Sequence, residues 1–154
     1  MRVAFYRDDE ARVTGWNAVR GQRTRIPGTV MALGRGDISH DLAQYIVEAA
    51  TGYQDGFWGL LGRGATFRST GRKRTKPGRA LIVEHRADLN KAEQVAGMHI
   101  AAWRAGERNP VADALTEGAR QFQSLGRGEA LCYEWPSTRG VVEPLREQAR
   151  TGRH

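Results

Sequence analysis

Seven basic side chains and no acidic one fall between residues 63 and 79: Arg63, Arg68, Arg72, Lys73, Arg74, Lys76 and Arg79. The stretch before it, 36 to 62, carries Asp37, Asp41, Glu48 and Asp55 and neither lysine nor arginine. Charge sorted this sharply produces a positive patch whose field reaches polyanions over about 10 Å at 0.1 M salt, whereas interspersed charges of both signs largely cancel. Between Arg68 and Arg79 the cations are interleaved with Ser69, Thr70, Gly71 and Thr75, which add backbone and hydroxyl donors at little steric cost. Pro77-Gly78 opposes a helix through the run, so the segment is expected to be an exposed, mobile loop that conforms to a phosphate backbone. Phe67, just upstream, is placed either to stack on a base or to fill the core. The competing reading of the whole segment is a solvated loop with no partner. No helix-turn-helix, zinc-finger or RNA-recognition signature accompanies it, so base-specific readout is not expected.

Other side chains carry weaker chemistry. His40, Asp41 and Glu48 invite an acid/base or metal reading, but His40 and Glu48 are eight residues apart, about 12 Å along a helix, too far to share one ion. Helical spacing puts His40, Gln44 and Glu48 on the side opposite Leu42, Ile46 and Ala49, which is expected to face solvent; Asp41 then favours the first turn through the helix dipole. His85 and His99 are expected on the apolar face of a long helix, beside Leu89, Ala92 and Trp103. At about 21 Å apart they cannot ligate one metal, and each reads as a buried, hydrogen-bonded core histidine. A pocket lined by Tyr45, His99 and Trp103 is the second candidate site, for a small molecule or for enzymatic chemistry. Cys132 is the sole cysteine, so no intrachain disulfide can form, and in Ala130-Leu131-Cys132-Tyr133 it reads as a small hydrophobe. No catalytic residue, metal framework or cofactor fingerprint stands out.

Three strands are expected first: Val3 to Tyr6, Arg12 to Val19 and Thr29 to Leu33, close enough in sequence for an antiparallel meander. A helix follows from Ile38 to Ala50, capped by Asp37 or Ser39 and ended by Gly52. A short helix over Asp55 to Leu61 carries Phe57-Trp58, two aromatics expected to anchor it in the core; an exposed Trp58 would instead mark a protein partner or homodimer surface. The longest helix is expected from Leu81 to Ala105. Another opens with Asn109 as cap and Pro110 in its first turn and stops at Gly126, and Glu129 to Trp135 returns as a strand closed by Pro136. The tetrapeptide Leu-Gly-Arg-Gly recurs at 33, 61 and 125 without a fixed period. It reads as three glycine-ended elements, the alternative being Arg35, Arg63 and Arg127 gathered around one anion.

His40-Asp41-Leu42 through Tyr45, Val47 and Glu48, then Gly56-Phe57-Trp58-Gly59 and Gly64-Ala65-Thr66-Phe67, resembles a family of small uncharacterised bacterial proteins over about residues 30 to 105. The resemblance implies a self-standing domain and brings no activity, cofactor or partner with it.

These elements predict an α+β domain over residues 1–150, with a small antiparallel N-terminal sheet packed by one long and several shorter helices, and a frayed tail at 151–154. The chain is long enough to bury roughly 70% of its unfolded surface. A formal charge of +7 favours anionic partners, although 21 arginines against three lysines also fits a GC-rich coding bias. No apolar run approaches a membrane span or a secretion signal, so a cytoplasmic protein is expected. The leading functional expectation is non-enzymatic binding of nucleic acid or another polyanion through residues 63–79. A small-molecule cleft and a protein-interaction module are the alternatives.

Overall fold

The computed structural model describes residues 1–34, 36–71 and 73–145; Arg35, Arg72 and the tail from Thr151 lie outside them. The architecture is α+β. Strands β1 (Arg2–Asp8), β2 (Val13–Arg20) and β3 (Thr24–Ala32) are followed by helices α1 (His40–Thr51), α2 (Phe57–Arg63), α3 (Lys76–Glu84), α4 (Arg86–Arg104) and α5 (Pro110–Gln123), then by strands β4 (Glu129–Glu134) and β5 (Val141–Pro144). The five strands form one antiparallel sheet in the order β3-β2-β1-β4-β5. The N-terminal meander is therefore as expected. The returning strand β4 pairs with β1, and the short edge strand β5, which the sequence reading does not predict, pairs with β4.

Register decides which residues meet the helices. Phe5 lies opposite Trp16 on β2 and Leu131 on β4, and Val3 opposite Ala18 and Tyr133. Because side chains alternate across a strand, this places Val3, Phe5, Trp16, Ala18, Leu131 and Tyr133 on one face, where all are buried. Leu42, Tyr45, Ile46, Trp58, Leu61, Leu115 and Phe122 from the helices complete that core. The opposite face holds a smaller cluster of Ala4, Ala130 and Cys132, flanked by Tyr6 and Leu145. Cys132 packs there as the small apolar side chain its neighbours predicted.

β3 starts five residues earlier than the pattern suggests. Pro27 is tolerated because β3 is an edge strand, and the pairing with β2 is irregular between Gly15 and Asn17. Gly28 is required by contact: a Cβ there would sit 2.2 Å from the Trp16 carbonyl oxygen.

Ser39 caps α1, its Oγ accepting from the Leu42 amide at 3.2 Å, and Gly52 ends it at φ 73°. Asn109 caps α5, its Oδ1 accepting from the Ala112 amide at 2.9 Å. Asn109→Ala should cost about 1 kcal/mol, readable as a lower urea midpoint at unchanged slope.

Two helix expectations need correction. The single helix from Leu81 to Ala105 is two helices. The backbone leaves helical geometry at His85, φ −107° and ψ 20°, where the imidazole meets Asp88 one turn on and Asp55 and Arg63 from elsewhere in the fold, the last two of which periodicity cannot report. Pro77-Gly78 does not exclude a helix either, because both residues sit in the first turn of α3, where a missing proline N–H costs nothing. Gly78 is needed there, since a Cβ would fall 2.4 Å from Thr66 Oγ1 and 2.8 Å from the Gly64 carbonyl oxygen. No helix among the described residues is long and apolar enough to cross a membrane.

Candidate anion-binding surface and the cleft beside it

The described parts of the basic segment, up to Gly71 and from Lys73 onward, form a hydrogen-bonded strap that leads into a helix. Its first half is tied to the edge strand: the Gly71 amide donates to the Pro27 carbonyl at 3.1 Å, and Thr29 Oγ1 donates to the Ser69 carbonyl at 3.0 Å. Its second half is folded onto itself. Thr66 Oγ1 accepts from the Thr75 amide at 3.1 Å, and Arg74 Nε donates to the Thr66 carbonyl at 3.2 Å. Thr75 then caps α3 through its Oγ1, which accepts from the Gly78 amide at 3.0 Å. The segment is exposed as expected, and on both sides of Arg72 its Thr and Gly residues, read as phosphate donors, make hydrogen bonds to the protein itself.

The seven cations have separate fates. Arg68, Lys73, Lys76 and Arg79 are exposed, and none has a carboxylate within ion-pair distance among the described residues. Arg74 is half-buried by its bond to Thr66. Arg63 is neutralised, its guanidinium lying 2.8 Å from Asp55 Oδ1 and 3.4 Å from His85 Nε2. Arg72 is outside the described residues. Of the three Leu-Gly-Arg-Gly arginines, Arg63 pairs with Asp55 and Arg127 with Glu10 at 3.3 Å, so each described one is already engaged by a carboxylate.

Asp55, His85 and Asp88 bring three potential ligand atoms within 4.8 Å of one another. The Arg63 guanidinium already supplies the positive charge this cluster calls for, and the group reads as an ion-pair knot joining α2 to the α3–α4 junction. His85 is therefore corrected from a core histidine on an apolar helix face to the centre of that knot.

Beside the strap lies a cleft of about 410 Å³ between the N-terminal turn of α1 and the first half of α4. His40, Asp41 and Gln44 form one wall, and Arg86, Leu89, Asn90 and Glu93 the other. Trp16, Phe57 and Trp58 lie at the base, and Phe67 and Ser69 of the basic segment close one side. Phe57 and Phe67 are half-buried, their ring centroids 4.5 Å apart. His40 binds its proton more tightly than an ordinary histidine, chiefly through the Asp41 carboxylate 3.8 Å from its Nδ1, against the lowering effect of partial burial and with Glu93 across the cleft contributing.

Glu48 lies one turn deeper on the same stripe, and its expected solvent exposure is wrong: it is 1% exposed, and Gln44 is also buried. The reason is that α1 has two covered sides, since α4 packs across the stripe that a single-helix wheel assigns to water. Glu48 Oε2 accepts from Gln44 Nε2 at 2.9 Å, and Oε1 accepts from the Trp58 amide at 3.1 Å. The latter satisfies a free N–H of the first turn of α2, whose own cap, Gly56, has no side chain to do so. Burial pushes the Glu48 carboxyl up to about 7, against the lowering effect of those two hydrogen bonds and with a further rise from nearby Glu93. Gly56 allows the approach, because a Cβ there would sit 2.2 Å from Glu48 Oε1.

The other anticipated site residues lie outside this cleft. Tyr45 is enclosed between Phe5, Trp58, Tyr133 and Trp135, whereas Trp103 Nε1 donates to Thr116 Oγ1 on α5 at 3.0 Å. His99 is half-buried on α4, and none of the three lines the cleft. Trp58 is 1% exposed at the centre of the aromatic core, which corrects its use as a partner or dimer surface. The cleft residues that sequence reasoning missed, Gln44, Arg86, Asn90 and Glu93, carry a signal only in hindsight: each lies on a polar stripe at helical spacing, and two such stripes face each other here.

No protein-family model matches the sequence, and neither does any curated protein or solved structure.

Proposed function

We propose that this chain is a cytoplasmic, non-enzymatic binding protein that holds nucleic acid through Arg68, Lys73, Lys76 and Arg79. The observation that carries the reading is that these four exposed cations have no carboxylate within ion-pair distance among the described residues, on a segment whose backbone is hydrogen-bonded to the protein on both sides of Arg72. Helix α3 adds to it. Its first turn contains Lys76 and Arg79 and no acidic residue, the opposite of what the positive end of a helix dipole favours. A local arrangement that opposes stability is the kind expected where a site has been built for a partner, and an anion arriving at this turn relieves it.

Capture is electrostatic and involves no bond making. With four phosphate contacts, log affinity should fall against log salt at a slope of roughly −3 to −4. The combined variant R68Q/K73Q/K76Q/R79Q should bind a labelled oligonucleotide at least ten-fold more weakly at low salt, by roughly 1.4 kcal/mol or more. It should lose most of the salt slope and melt at the wild-type temperature. Equal retention of wild type and variant in a low-salt shift assay would eliminate the proposal.

A further inference from the structure

We infer that the cleft beside the strap takes one unstacked base of a single-stranded nucleic acid whose phosphates lie on the basic segment, an inference that rests on the function proposed above. The two features are continuous: Phe67 and Ser69 line the cleft and also lie within the span from Arg63 to Arg79 that carries the cations. Their chemistry differs in the way a nucleotide differs from end to end. Outside, Arg68 and Lys73 are exposed cations suited to phosphate. Inside, the charges are of both signs, His40 and Arg86 beside Asp41 and Glu93; the two carboxylates accept hydrogen bonds from neutral N–H donors, while Asn90 supplies an amide that both donates and accepts.

Shape and surface point the same way. At about 410 Å³ the cleft is near the lower end of the range for small-ligand pockets, about 300–1,000 Å³, and has room for a base and its sugar. The half-buried rings of Phe57 and Phe67 offer an apolar wall against which a planar base can stack. A base inside a duplex cannot reach that wall without leaving its stack. The preferred partner is therefore single-stranded, and the amino group of cytosine, adenine or guanine, or the N3–H of thymine or uracil, can donate to Asp41 or Glu93.

The test compares a fluorescein-labelled short oligodeoxycytidylate with an abasic oligomer of the same length and phosphate count, by anisotropy at low salt. Wild type should bind the abasic oligomer about ten-fold more weakly, the loss expected for one stacked base. Phe67→Leu and, separately, Asn90→Ala should each remove much of that difference while leaving the salt slope intact. Asn90 is exposed on α4, so its variant reports on the cleft even if Phe67→Leu fails to fold. Equal binding of both oligomers by wild type, with both lost in R68Q/K73Q/K76Q/R79Q, would overturn the cleft assignment and leave the surface reading standing. Failure of both oligomers to bind wild type would overturn the two together. Free cytidine monophosphate bound equally by wild type and the four-residue variant would show a small-ligand site independent of the strap, and would also overturn the inference.

Discussion

Raising the pH from 4.5 to 7 should lower folding stability by up to about 3 kcal/mol through Glu48 alone. The folded protein holds the Glu48 proton up to about pH 7, whereas the ordinary carboxyl of the unfolded chain releases it near 4.5. Between these values the native state binds more protons than the unfolded state, so each pH unit gained favours unfolding by about 1.4 kcal/mol. Below the window both states are protonated, and above it both are ionised, so the loss stops growing. The physical cause is the desolvation of a charge sealed beneath α4 and α2, which two hydrogen bonds, from Gln44 and the Trp58 amide, only partly offset.

Glu48→Gln removes the titration and keeps an oxygen to accept from the Trp58 amide. Its stability should lose the Glu48 share of the pH dependence, leaving the smaller fall that the raised His40 contributes above about pH 6.5, and should exceed that of wild type at and above pH 7. Urea unfolding of both proteins at pH 4.5, 6 and 7.5 measures this directly. Parallel curves would mean that water reaches the carboxylate and the burial account is wrong. Because Gln44 lines the cleft and bonds Glu48, the same titration would also reach the cleft wall.

Trp58→Ala should cost about 3–5 kcal/mol, as expected for deleting a large ring from a packed core. The indole meets Phe5, Trp16, Tyr45 and Phe57 at centroid distances of 5.5, 4.7, 5.4 and 4.9 Å, mostly edge to face, which adds to the burial term. Trp58→Phe should cost far less. It keeps a ring in place and also removes Nε1, a buried donor with no hydrogen-bond partner among the described residues, whose desolvation the native protein now bears. Chemical denaturation of the two variants separates the terms: a Phe variant as damaged as the Ala variant would show that indole shape, and not aromatic packing in general, holds the site. In either case the floor of the cleft is disturbed, so the Ala variant should also lose the base-dependent share of oligonucleotide binding.

Much of the fold was legible because local rules and tertiary demands agreed. The meander of β1 to β3, the Ser39–Gly52 bounds of α1, the Asn109-Pro110 start of α5 and the strand character of Glu129–Glu134 follow from capping, periodicity and strand propensity. The misses share one physical origin. Gln44 and Glu48 look like a solvated stripe unless α4 is known to lie across them, and the break at His85 falls where Asp55 and Arg63, from elsewhere in the chain, meet its imidazole beside Asp88. Thr66 and Gly78 look like loop residues until they are found within touching distance. Edge strand β5 carries too short a pattern to stand out, and its pairing with β4 is what makes it a strand.

The order of residues by itself determined the excess of positive charge, its confinement to one stretch, the lone cysteine and the types of most elements, since these depend on composition and on neighbours a few positions away. Only the tertiary structure decided which cations remain unneutralised, that Glu48 is a sealed carboxyl serving α2, and that a polar, aromatic-floored cleft opens beside the basic strap. Those outcomes depend on which segments pack against each other, and distances across a folded chain are not written in spacing along it.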